Sequence, residues 1–562
     1  MGRLCIAVTN ALGSSLDPLT AFMNSSGFYA PLKNSLVLDR GTGSPTFTRA
    51  DASECATFFD HEGVNRKVPA NCARFTGARM VRNLIPTTSE DITNAAWTKT
   101  NTTATGSVSD PQGGASACTI TATAINGECY IGYPSVVGRT YVNSTWIRRR
   151  TGTGAVTYRN PNNAAVTITP TSSWQRFTTN ATAVSTTCYI VFVLATSGDA
   201  IDVAFSMAQD KTGASDPTVP DDYVSVGVLS APYHGAGVDG IKYFTTTNGN
   251  SVASNVVTEA AGTAIADATL DGFRPEGVAS INRCLYSNDF SNAAWVASNV
   301  TKGADNHTAP DGTATAYSLT ATAGNGTVIQ DLGVVASASK TGGFYLKRKT
   351  GTGNIDITMD GGTGWTTVAV TSTWTRFEKN QTLADEDFGI RIVTSGDAVY
   401  VWNGQVQTAT FLASPITTTS AAITRAADAL SWPTTSNFSD TAGTIYFEAE
   451  ASSWANASGR IVGDAAEGIL ASSANSGIQG YDGTNTVNGT AGSPSGQIKA
   501  AISWTGTTMK ICVDGGAVAS GTYDGAWNLS AIFIGNGFFG NIRNVRIAQV
   551  AYPGDVLQAA TR

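Results

Sequence analysis

The stretch Asn94-Ala95-Ala96-Trp97 returns as Asn292-Ala293-Ala294-Trp295, and three further matches follow in the same order along the chain. These matches are Thr151-Gly152-Thr153-Gly154 with Thr350-Gly351-Thr352-Gly353, Thr171-Ser172-Ser173-Trp174 with Thr371-Ser372-Thr373-Trp374, and Thr196-Ser197-Gly198-Asp199 with Thr394-Ser395-Gly396-Asp397. The offset between the copies stays between 198 and 200 residues. Matches that keep one register indicate a duplicated domain, which we assign to residues 81–215 (module 1) and 281–426 (module 2).

Each module reads as a series of short β-strands. Aromatic and β-branched runs at Tyr141–Ile147 and Phe344–Leu346 are followed by the Thr-Gly-Thr-Gly turns, which predict a hairpin at that point. A second pair of apolar runs leads into the Ser-Gly-Asp turns. Many short strands with closely spaced turns are typical of a β-sandwich, so we predict a jelly roll for each module.

The rest of the chain is predicted to be β-structure as well. Residues 427–562 contain alternating runs, such as Thr444–Glu450 and Met509–Val513, and a hairpin turn at Asp514-Gly515-Gly516. We interpret them as a third sandwich. Residues 216–280 form a loop-rich connector with many glycines and prolines. The predicted fold class is therefore all-β, with tandem jelly-roll sandwiches, a duplicated module and a C-terminal sandwich.

Composition excludes several classes of function. Charged residues make up only 14% of the 562 residues and the net charge is −7, so no basic surface for nucleic acid is expected. No apolar run is long enough to span a membrane. The apolar run after Arg3 is too short for a secretory signal, which predicts synthesis in the cytoplasm. The eight cysteines are far apart and are expected to be buried free thiols.

Enzyme motifs are missing from the sequence. The three histidines, His61, His234 and His307, lie in no catalytic context, and no hydrolase or nucleotide-binding motif occurs. Glu448 with Glu450 and the run Asp385–Asp387 offer carboxylates for glycoside hydrolysis, but both are typical of a solvated strand or turn. We predict no catalytic residue, no metal site and no cofactor. Calcium is left without an assigned site, because no ligand spacing selects among the turn aspartates.

Aromatic residues are the remaining candidates for binding. Trp97 and Trp295 occur in both copies, which favours a packing role. Aromatic residues that differ between the copies are better candidates for a face that stacks on sugar rings. The predicted carbohydrate-binding residues are Tyr130, Tyr133, Tyr317 and Trp402.

Several blocks resemble bacteriophage virion proteins of the tail-fibre and head-fibre type. The opening of module 2, Leu285–Trp295, resembles carbohydrate-binding-like jelly-roll modules of such proteins. Phe47-Thr48-Arg49-Ala50 resembles their N-terminal part and Ile423–Asp428 the end of such a module. Gly540–Ile547 is similar to the closing strands of concanavalin-like or laminin-G-like sandwiches.

The resemblance implies a virion surface protein that attaches to host surface polysaccharide. The N-terminal region, residues 1–80, would bind other virion proteins, and a homo-oligomer, possibly a trimer in such fibres, would multiply weak sites. Two alternatives stay open. One is a capsid decoration or cement protein with a purely structural role, and the other is a polysaccharide depolymerase.

Overall fold

The computed structural model describes residues 18–51, 54–228, 234–249, 262–472, 477–489, 494 and 496–562. The chain divides into two compact units. One contains the chain up to Leu32, Val37–Pro45 and Ala429–Arg562, and the other contains Lys33–Leu36 and Thr46–Asp428. The N-terminal region predicted as one segment is thus shared between both units. In the described part, neither α-helix is long and apolar enough to cross a membrane.

The described part of the N-terminal region contains one helix and six short strands. They are α1 (Pro18–Ser25), β1 (Phe28–Ala30), β2 (Thr46–Thr48), β3 (Ala56–Phe59), β4 (Asn65–Val68), β5 (Phe75–Thr76) and β6 (Arg79–Arg82). Strands β3 and β4 form a hairpin, with Ala56 opposite Val68. Its turn holds Asp60, whose carboxylate accepts hydrogen bonds from the backbone N–H groups of Glu62 and Val64 at 2.9 Å. This hairpin belongs to the larger unit, beside the jelly rolls.

Module 1 is a two-layer jelly roll. Its strands are β7 (Thr98–Thr100), β8 (Thr102–Val108), β9 (Ala117–Ala122), β10 (Gly127–Pro134), β11 (Thr140–Thr151), β12 (Val156–Tyr158), β13 (Thr167–Ile168), β14 (Gln175–Thr182), β15 (Thr187–Leu194) and β16 (Ala200–Asp210). One sheet has the order β13-β12-β15-β10-β7 and the other β14-β11-β16-β9-β8. Between them lies a core that includes Trp97, Ile131 and Phe192. The predicted jelly roll and the packing role of Trp97 are confirmed.

The Thr-Gly-Thr-Gly turn does not make a hairpin. It joins β11 to β12, which belong to different sheets, so that prediction is wrong. The turn instead receives the carboxylate of Asp199 from the Ser-Gly-Asp turn: the Gly154 N–H donates to Asp199 Oδ2 at 2.8 Å. A Cβ on Gly152, which has a φ of 79°, would lie 1.8 Å from Asp199 Oδ1. Two of the repeated motifs therefore recur together because they contact each other.

The connector contributes three short strands that pair with other parts of the larger unit. They are β17 (Ile241–Phe244), β18 (Gly272–Phe273) and β19 (Ser280–Asn282). Strand β17 pairs with β6, and β18 pairs with β5. Tyr223, in the loop before β17, is buried and donates a hydrogen bond to Glu90 of module 1 at 2.7 Å. The described part of the connector thus contacts the N-terminal region and module 1.

Module 2 repeats the jelly roll with longer strands. They are β20 (Val296–Ser298), β21 (Val300–His307), β22 (Ala316–Ala321), β23 (Gly326–Thr350), β24 (Ile355–Thr358), β25 (Thr366–Val368), β26 (Thr375–Ile392), β27 (Ala398–Gln407) and β28 (Ile423–Arg425). Strand β23 corresponds to β10 plus β11 of module 1, and β26 to β14 plus β15. Register shifts near Val334 bend β23, so that one strand serves both layers. Strands β20–β27 consequently form one continuous sheet, and β28 pairs with β19.

The smaller unit contains the C-terminal sandwich. Its elements are β29 (Ala429–Trp432), β30 (Ala442–Ala451), the 3-10 helix Trp454–Asn456, β31 (Arg460–Gly463), β32 (Gly468–Ser472), β33 (Gly477–Tyr481), β34 (Thr486–Asn488), β35 (Ile498–Thr505), β36 (Thr508–Val513), β37 (Ala519–Thr522), β38 (Ile532–Ile534), β39 (Gly540–Ala548) and α2 (Gly554–Ala560). One layer runs β37-β36-β35-β30-β39 and the other β29-β38-β31-β32-β33-β34. The predicted hairpin at Asp514-Gly515-Gly516 joins β36 to β37 and is confirmed.

A buried ionic cluster lies in the larger unit. Its six charged side chains, each 1% exposed or less, are Arg49, Asp51, Arg74, Glu276, Arg425 and Asp428. Arg74 binds Glu276 at 2.7 Å and also binds Asp428. Arg425 binds Glu276 at 2.7 Å, and Arg49 binds Asp428 at 3.1 Å. The cluster joins the N-terminal region to the end of module 2, and loss of any partner would leave a buried charge uncompensated.

Candidate ligand-binding face

Two tyrosines lie on the outer face of one sheet of module 1. Along β10, Cys129, Ile131 and Tyr133 are buried, so alternation turns Tyr130 to the opposite face. Tyr189 of β15 is on the same face, opposite Gly132, and both tyrosines are half-buried. Their ring centroids are 6.3 Å apart at 71°, an edge-to-face pair. A partly exposed ring of such a pair can stack on the apolar face of a ligand ring.

Gly132 keeps this pair close to the sheet. A Cβ on Gly132 would lie 3.2 Å from Tyr189 Cε1 and 3.2 Å from Thr187 Cγ2. The ring of Tyr189 therefore occupies the space that a side chain at position 132 would take. Only the small residue leaves room for the ring to lie over β10.

A charged pair borders the aromatic face. Arg159, which follows β12, binds Glu128 of β10 at 2.5 Å, and both side chains are partly exposed. Arg159 also donates to Asn163 Oδ1 at 3.1 Å. Partly exposed donors and acceptors beside aromatic rings suit a polyhydroxylated ligand, which needs stacking and hydrogen bonds together. Sequence reasoning missed Tyr189 and this pair, although the strand alternation of Thr187–Leu194 marks position 189 as outward.

Module 2 has a different surface at the same positions. Ile329 lies opposite Gly389 and Asp331 opposite Asp387, where module 1 has Tyr130 opposite Val191 and Gly132 opposite Tyr189. Ile329 and Asp387 thus stand where module 1 has Tyr130 and Tyr189, and Asp331 stands in place of Gly132. Burial, and then the carboxylates of Asp331, Asp385 and Asp360, raise the pKa of Asp387. This face is acidic where the corresponding face of module 1 is aromatic.

An ion pair crosses the neighbouring strands of module 2. Arg391 of β26 lies opposite Asp356 of β24 and binds its Oδ2 with Nη2 at 2.6 Å and Nε at 2.9 Å. Thr367 donates to Asp356 Oδ1 at 2.7 Å. The guanidinium carbon of Arg391 is 4.5 Å from the ring centroid of Trp365. At this point the exposed side of the sheet is therefore covered by charged groups of the protein itself, so a ligand ring cannot stack there.

The four predicted carbohydrate-binding residues are not brought together. Tyr133 is 1% exposed in the core of module 1, its hydroxyl donates to Asn143 at 2.7 Å, and burial raises its pKa. Trp402 is 2% exposed and packs edge-to-face on Tyr345 with centroids 5.4 Å apart. Neither ring has a face free for a sugar. Tyr130 does, as described above.

Tyr317 has a separate environment at the mouth of a cavity in the larger unit. Its ring is half-buried and its hydroxyl donates to Asp289 at 2.8 Å. Asp289 also accepts a hydrogen bond from the hydroxyl of Ser291, so its carboxylate already has two protein donors. Tyr317 remains a candidate contact for a ligand in that cavity, and not for the aromatic face of module 1.

The carboxylates considered for catalysis have structural partners. Glu448 is 8% exposed, binds Arg543 at 2.8 Å and accepts a hydrogen bond from Tyr446 at 3.0 Å. Glu386 is fully buried within β26 and binds Lys340 at 2.6 Å. The prediction of a solvated strand is wrong for Glu448, and that of a solvated turn is wrong for Glu386, which lies in β26, because Arg543 and Lys340 compensate these two buried acids. Asp385 is exposed and Asp387 is half-buried on the same strand. In the described ranges no three His, Cys, Asp or Glu side chains group to hold a metal ion.

Two cavities lie where the β3–β4 hairpin meets both modules. The first, which we call the junction cavity, has a volume of about 800 Å³, and its walls come from the hairpin, module 1, the connector and module 2. A neighbouring cavity of about 830 Å³ shares Lys67, Arg139 and Asp311 with it. Gly213 and Gly312 allow the backbones of the two modules to approach closely here, since a Cβ on Gly213 would lie 2.6 Å from Gly312 Cα. The walls are thus held by backbone contact between the modules.

Comparisons with known proteins give similarities in fold. No family model and no curated protein matches the sequence. Among solved structures, the CBM40 of the Ruminococcus gnavus IT-sialidase, bound to α2,3-sialyllactose, is 14% identical with a TM-score of 0.19 and covers 22% of this chain and 84% of its own. Mouse laminin α1 domains LG4-5 are 11% identical with a TM-score of 0.17, covering 41% and 90%.

A third match is a tailspike domain. Tailspike protein 4 of bacteriophage CBA120, in its enzymatically active domain, is 12% identical with a TM-score of 0.18. The match covers 23% of this chain and 21% of the tailspike chain. The sandwich sheets of the described strands confirm the all-β fold class.

Proposed function

We propose that this chain is a non-catalytic attachment protein of a virion surface, which binds polysaccharide on the outer face of module 1. The observation that carries the proposal is the edge-to-face pair Tyr130–Tyr189, half-exposed on an open sheet and bordered by Glu128 and Arg159. Sugar rings have an apolar face that stacks on aromatic rings and hydroxyls that bond to charged groups at the rim.

The contacts of the carboxylates support a non-catalytic role. Glycoside hydrolysis needs two carboxyl groups that converge on one cleft. Glu448 and Glu386 are each held by a cation in the interior and face no open surface. These side chains have a sufficient structural function, which favours binding over cleavage.

The virion location rests on the sequence resemblance described above. The N-terminal region would bind other virion proteins, and the modules would reach the host polysaccharide. A single aromatic face is a weak site, so a homo-oligomer, such as a trimer, would raise the overall affinity by presenting several faces together. The mass of the full chain in solution measures the number of copies.

A binding experiment with matched variants tests the aromatic face. We expect the full chain to bind at least one polysaccharide from a panel of bacterial surface glycans, and Tyr130→Ala and Tyr189→Ala each to weaken it about tenfold, roughly 1.4 kcal/mol. Tyr481→Ala, a half-buried tyrosine of the C-terminal sandwich, is the control and should bind as the wild type does.

Three outcomes would contradict the proposal. Binding that is unchanged in Tyr130→Ala and Tyr189→Ala would place the glycan site elsewhere. Absence of binding to every glycan of the intended host would favour the decoration role. Reducing ends released from the polysaccharide, and lost in Glu448→Gln, would instead support a depolymerase.

A further inference from the structure

The junction cavity is rich in charge, and its charges are almost all paired. Six cations line it, and five of them have a carboxylate within ion-pair distance. These pairs are Arg66–Asp60 at 2.6 Å, Arg79–Asp222 at 2.6 Å, Arg82–Glu54 at 2.8 Å, Arg139–Asp210 at 3.0 Å and Lys211–Asp216 at 2.7 Å. The sixth cation, Lys67, has no such partner among the described residues.

Lys67 lies beside a second cation on the wall that the two cavities share. Burial, and then the charge of Arg139, lower the pKa of Lys67, whereas Asp311 raises it. Asp311 is 3.5 Å from Arg139, which already binds Asp210. Glu54 also raises the pKa of Lys67, but it binds Arg82 at 2.8 Å. A partly buried ammonium group that shares its counter-ions with other cations is unfavourable. The cavity lining has six cations and seven carboxylates, so the positive charge of this wall is local, and an anion here would supply a counter-ion to Lys67.

A second group on the same strand also lacks a partner. Asn65 is two residues before Lys67 in β4, so both side chains are on the same side of the strand. Asn65 is 5% exposed, and its Nδ2 has no hydrogen-bond acceptor in the structure. His61, in the turn of the same hairpin, has a buried Nδ1 without a partner. All three residues line the junction cavity. Buried polar groups of this kind are rarely left without a partner.

We propose that the junction cavity binds an anionic saccharide, whose carboxylate or phosphate oxygens are held by Lys67 and Arg139 and by the amide of Asn65. The ammonium and guanidinium groups supply the charge, and the amide N–H donates to an oxygen of the anion. A volume of about 800 Å³ accommodates a short oligosaccharide, and the paired charges around the wall offer donors and acceptors to its hydroxyls.

This site is distinct from the aromatic face of module 1 and stands whether or not that face binds a glycan. Its residues come from the β3–β4 hairpin and from Arg139, which precedes β11. Tyr130 and Tyr189 do not line the cavity. The two sites are therefore separable by mutation.

Calorimetric titration of the full chain with three probes tests the proposal. The probes are a trigalacturonate, a neutral trisaccharide of glucose, and inorganic phosphate. We expect the trigalacturonate to bind and the neutral trisaccharide to bind at least tenfold more weakly. This difference in affinity corresponds to about the contribution of one charged hydrogen bond. Binding of phosphate with equal affinity would show that the oxyanion alone is recognised, which overturns the saccharide part of the proposal.

Matched variants locate the binding. Lys67→Met should weaken trigalacturonate binding about tenfold. Asn65→Leu should weaken this binding several-fold, roughly the contribution of one hydrogen bond. Lys510→Met, in β36 of the other unit, is the control and should bind as the wild type does. Lys67→Met removes an uncompensated charge, so its melting temperature should equal or exceed that of the wild type.

Three results would overturn the proposal: no binding of trigalacturonate by the wild type, equal binding by Lys67→Met, or equal loss in Lys510→Met. Tyr130→Ala should leave trigalacturonate binding unchanged, which separates this site from the proposed function. A second readout uses the reductively ¹³C-methylated protein. The dimethyl-lysine signal assigned through Lys67→Arg should move on addition of trigalacturonate and stay in place with the neutral trisaccharide.

Discussion

Modules 1 and 2 share the contacts that close the jelly roll and differ in what they present to solvent. In both, a Thr-Gly-Thr-Gly turn holds the aspartate of a Ser-Gly-Asp turn: Gly154 N–H donates to Asp199 at 2.8 Å, and Gly353 N–H donates to Asp397 at 2.6 Å. In both, the tryptophan of the Asn-Ala-Ala-Trp step is 1% exposed. Duplication has kept these residues because the fold depends on them.

The outward positions have changed between the copies. The face that carries Tyr130 and Tyr189 in module 1 carries Ile329 and Asp387 in module 2. Stacking on the first face needs aromatic rings, whereas the second face repels anionic ligands and offers no ring at those positions. One copy therefore presents an aromatic face, and the other presents an aliphatic and acidic face on the same scaffold.

The largest expected effect tests the turn–aspartate contact that both modules share. Gly152→Ala and Gly351→Ala should each destabilise their module by about 4 kcal/mol, because the new Cβ would meet an aspartate oxygen at a positive φ. That Cβ would lie 1.8 Å from Asp199 Oδ1 in one copy and 1.9 Å from Asp397 Oδ1 in the other. Hydrogen exchange of each module measures the loss.

Gly198→Ala is the control for that experiment. Gly198 has a φ of 87° with no atom within 4 Å of its Cβ, so only the backbone preference is lost, about 1 kcal/mol. A loss for Gly152→Ala no larger than that of Gly198→Ala would show that the turn relaxes and that the aspartate contact is dispensable.

The next prediction concerns the ion pair between Arg391 and Asp356 of module 2, which is replaced by uncharged residues in module 1. Arg391→Val leaves Asp356, which is 1% exposed, without its cation and should destabilise module 2 by about 3 kcal/mol. Adding Asp356→Thr gives the residues that module 1 has at these paired positions, Thr157 and Val193. The double variant should return to within about 1 kcal/mol of the wild type. Chemical denaturation of both variants measures this, and a double variant no better than Arg391→Val would break the equivalence.

The smallest effect is the pH dependence that Glu90 gives to module 1, for which module 2 has no carboxyl group at the matching position. Burial raises the pKa of Glu90 to about 7. The folded state therefore holds a proton that the unfolded state releases above its pKa of about 4.5, so the stability of module 1 falls as pH rises between these values. From pH 5 to pH 8 the loss is about 2 kcal/mol. Module 2 has the uncharged Asn288 at the matching position.

Hydrogen exchange at pH 5 and pH 8, corrected for the intrinsic rate, measures both modules in one molecule. Glu90→Gln should flatten the response of module 1 and leave that of module 2 unchanged. Equal pH responses of the two modules in the wild type would contradict the assignment to Glu90.

Much of the fold was predictable because the repeat fixes the boundaries of equivalent strands, as Trp97 and Trp295 show. The pairing of the strands was not. A Thr-Gly-Thr-Gly sequence reports a tight turn but not whether the next strand joins the same sheet, and here it crosses to the other layer. The contact of this turn with Asp199 spans 45 residues and has no local signal.

The candidate sites were predictable only in part, for a similar reason. Tyr130 and Tyr133 lie three apart on β10 and point to opposite faces, and only alternation with Cys129 and Ile131 separates them. Alternation fails for Trp402, since β27 is buried on both faces. The junction cavity brings Lys67, Arg139 and Asp311 together from three parts of the chain, a juxtaposition that only the tertiary structure reveals.

The buried ionic cluster can be completed only late in synthesis, because its partners are far apart in the sequence. Arg74 leaves the ribosome 354 residues before Asp428, its partner in the cluster. At translation rates of about 5–20 residues per second, Asp428 is made roughly 20 to 70 s after Arg74. Module 1, whose two sheets need no later strand, has time to fold in that interval. The segment that carries Arg74 is therefore made well before the contacts that bury it are complete.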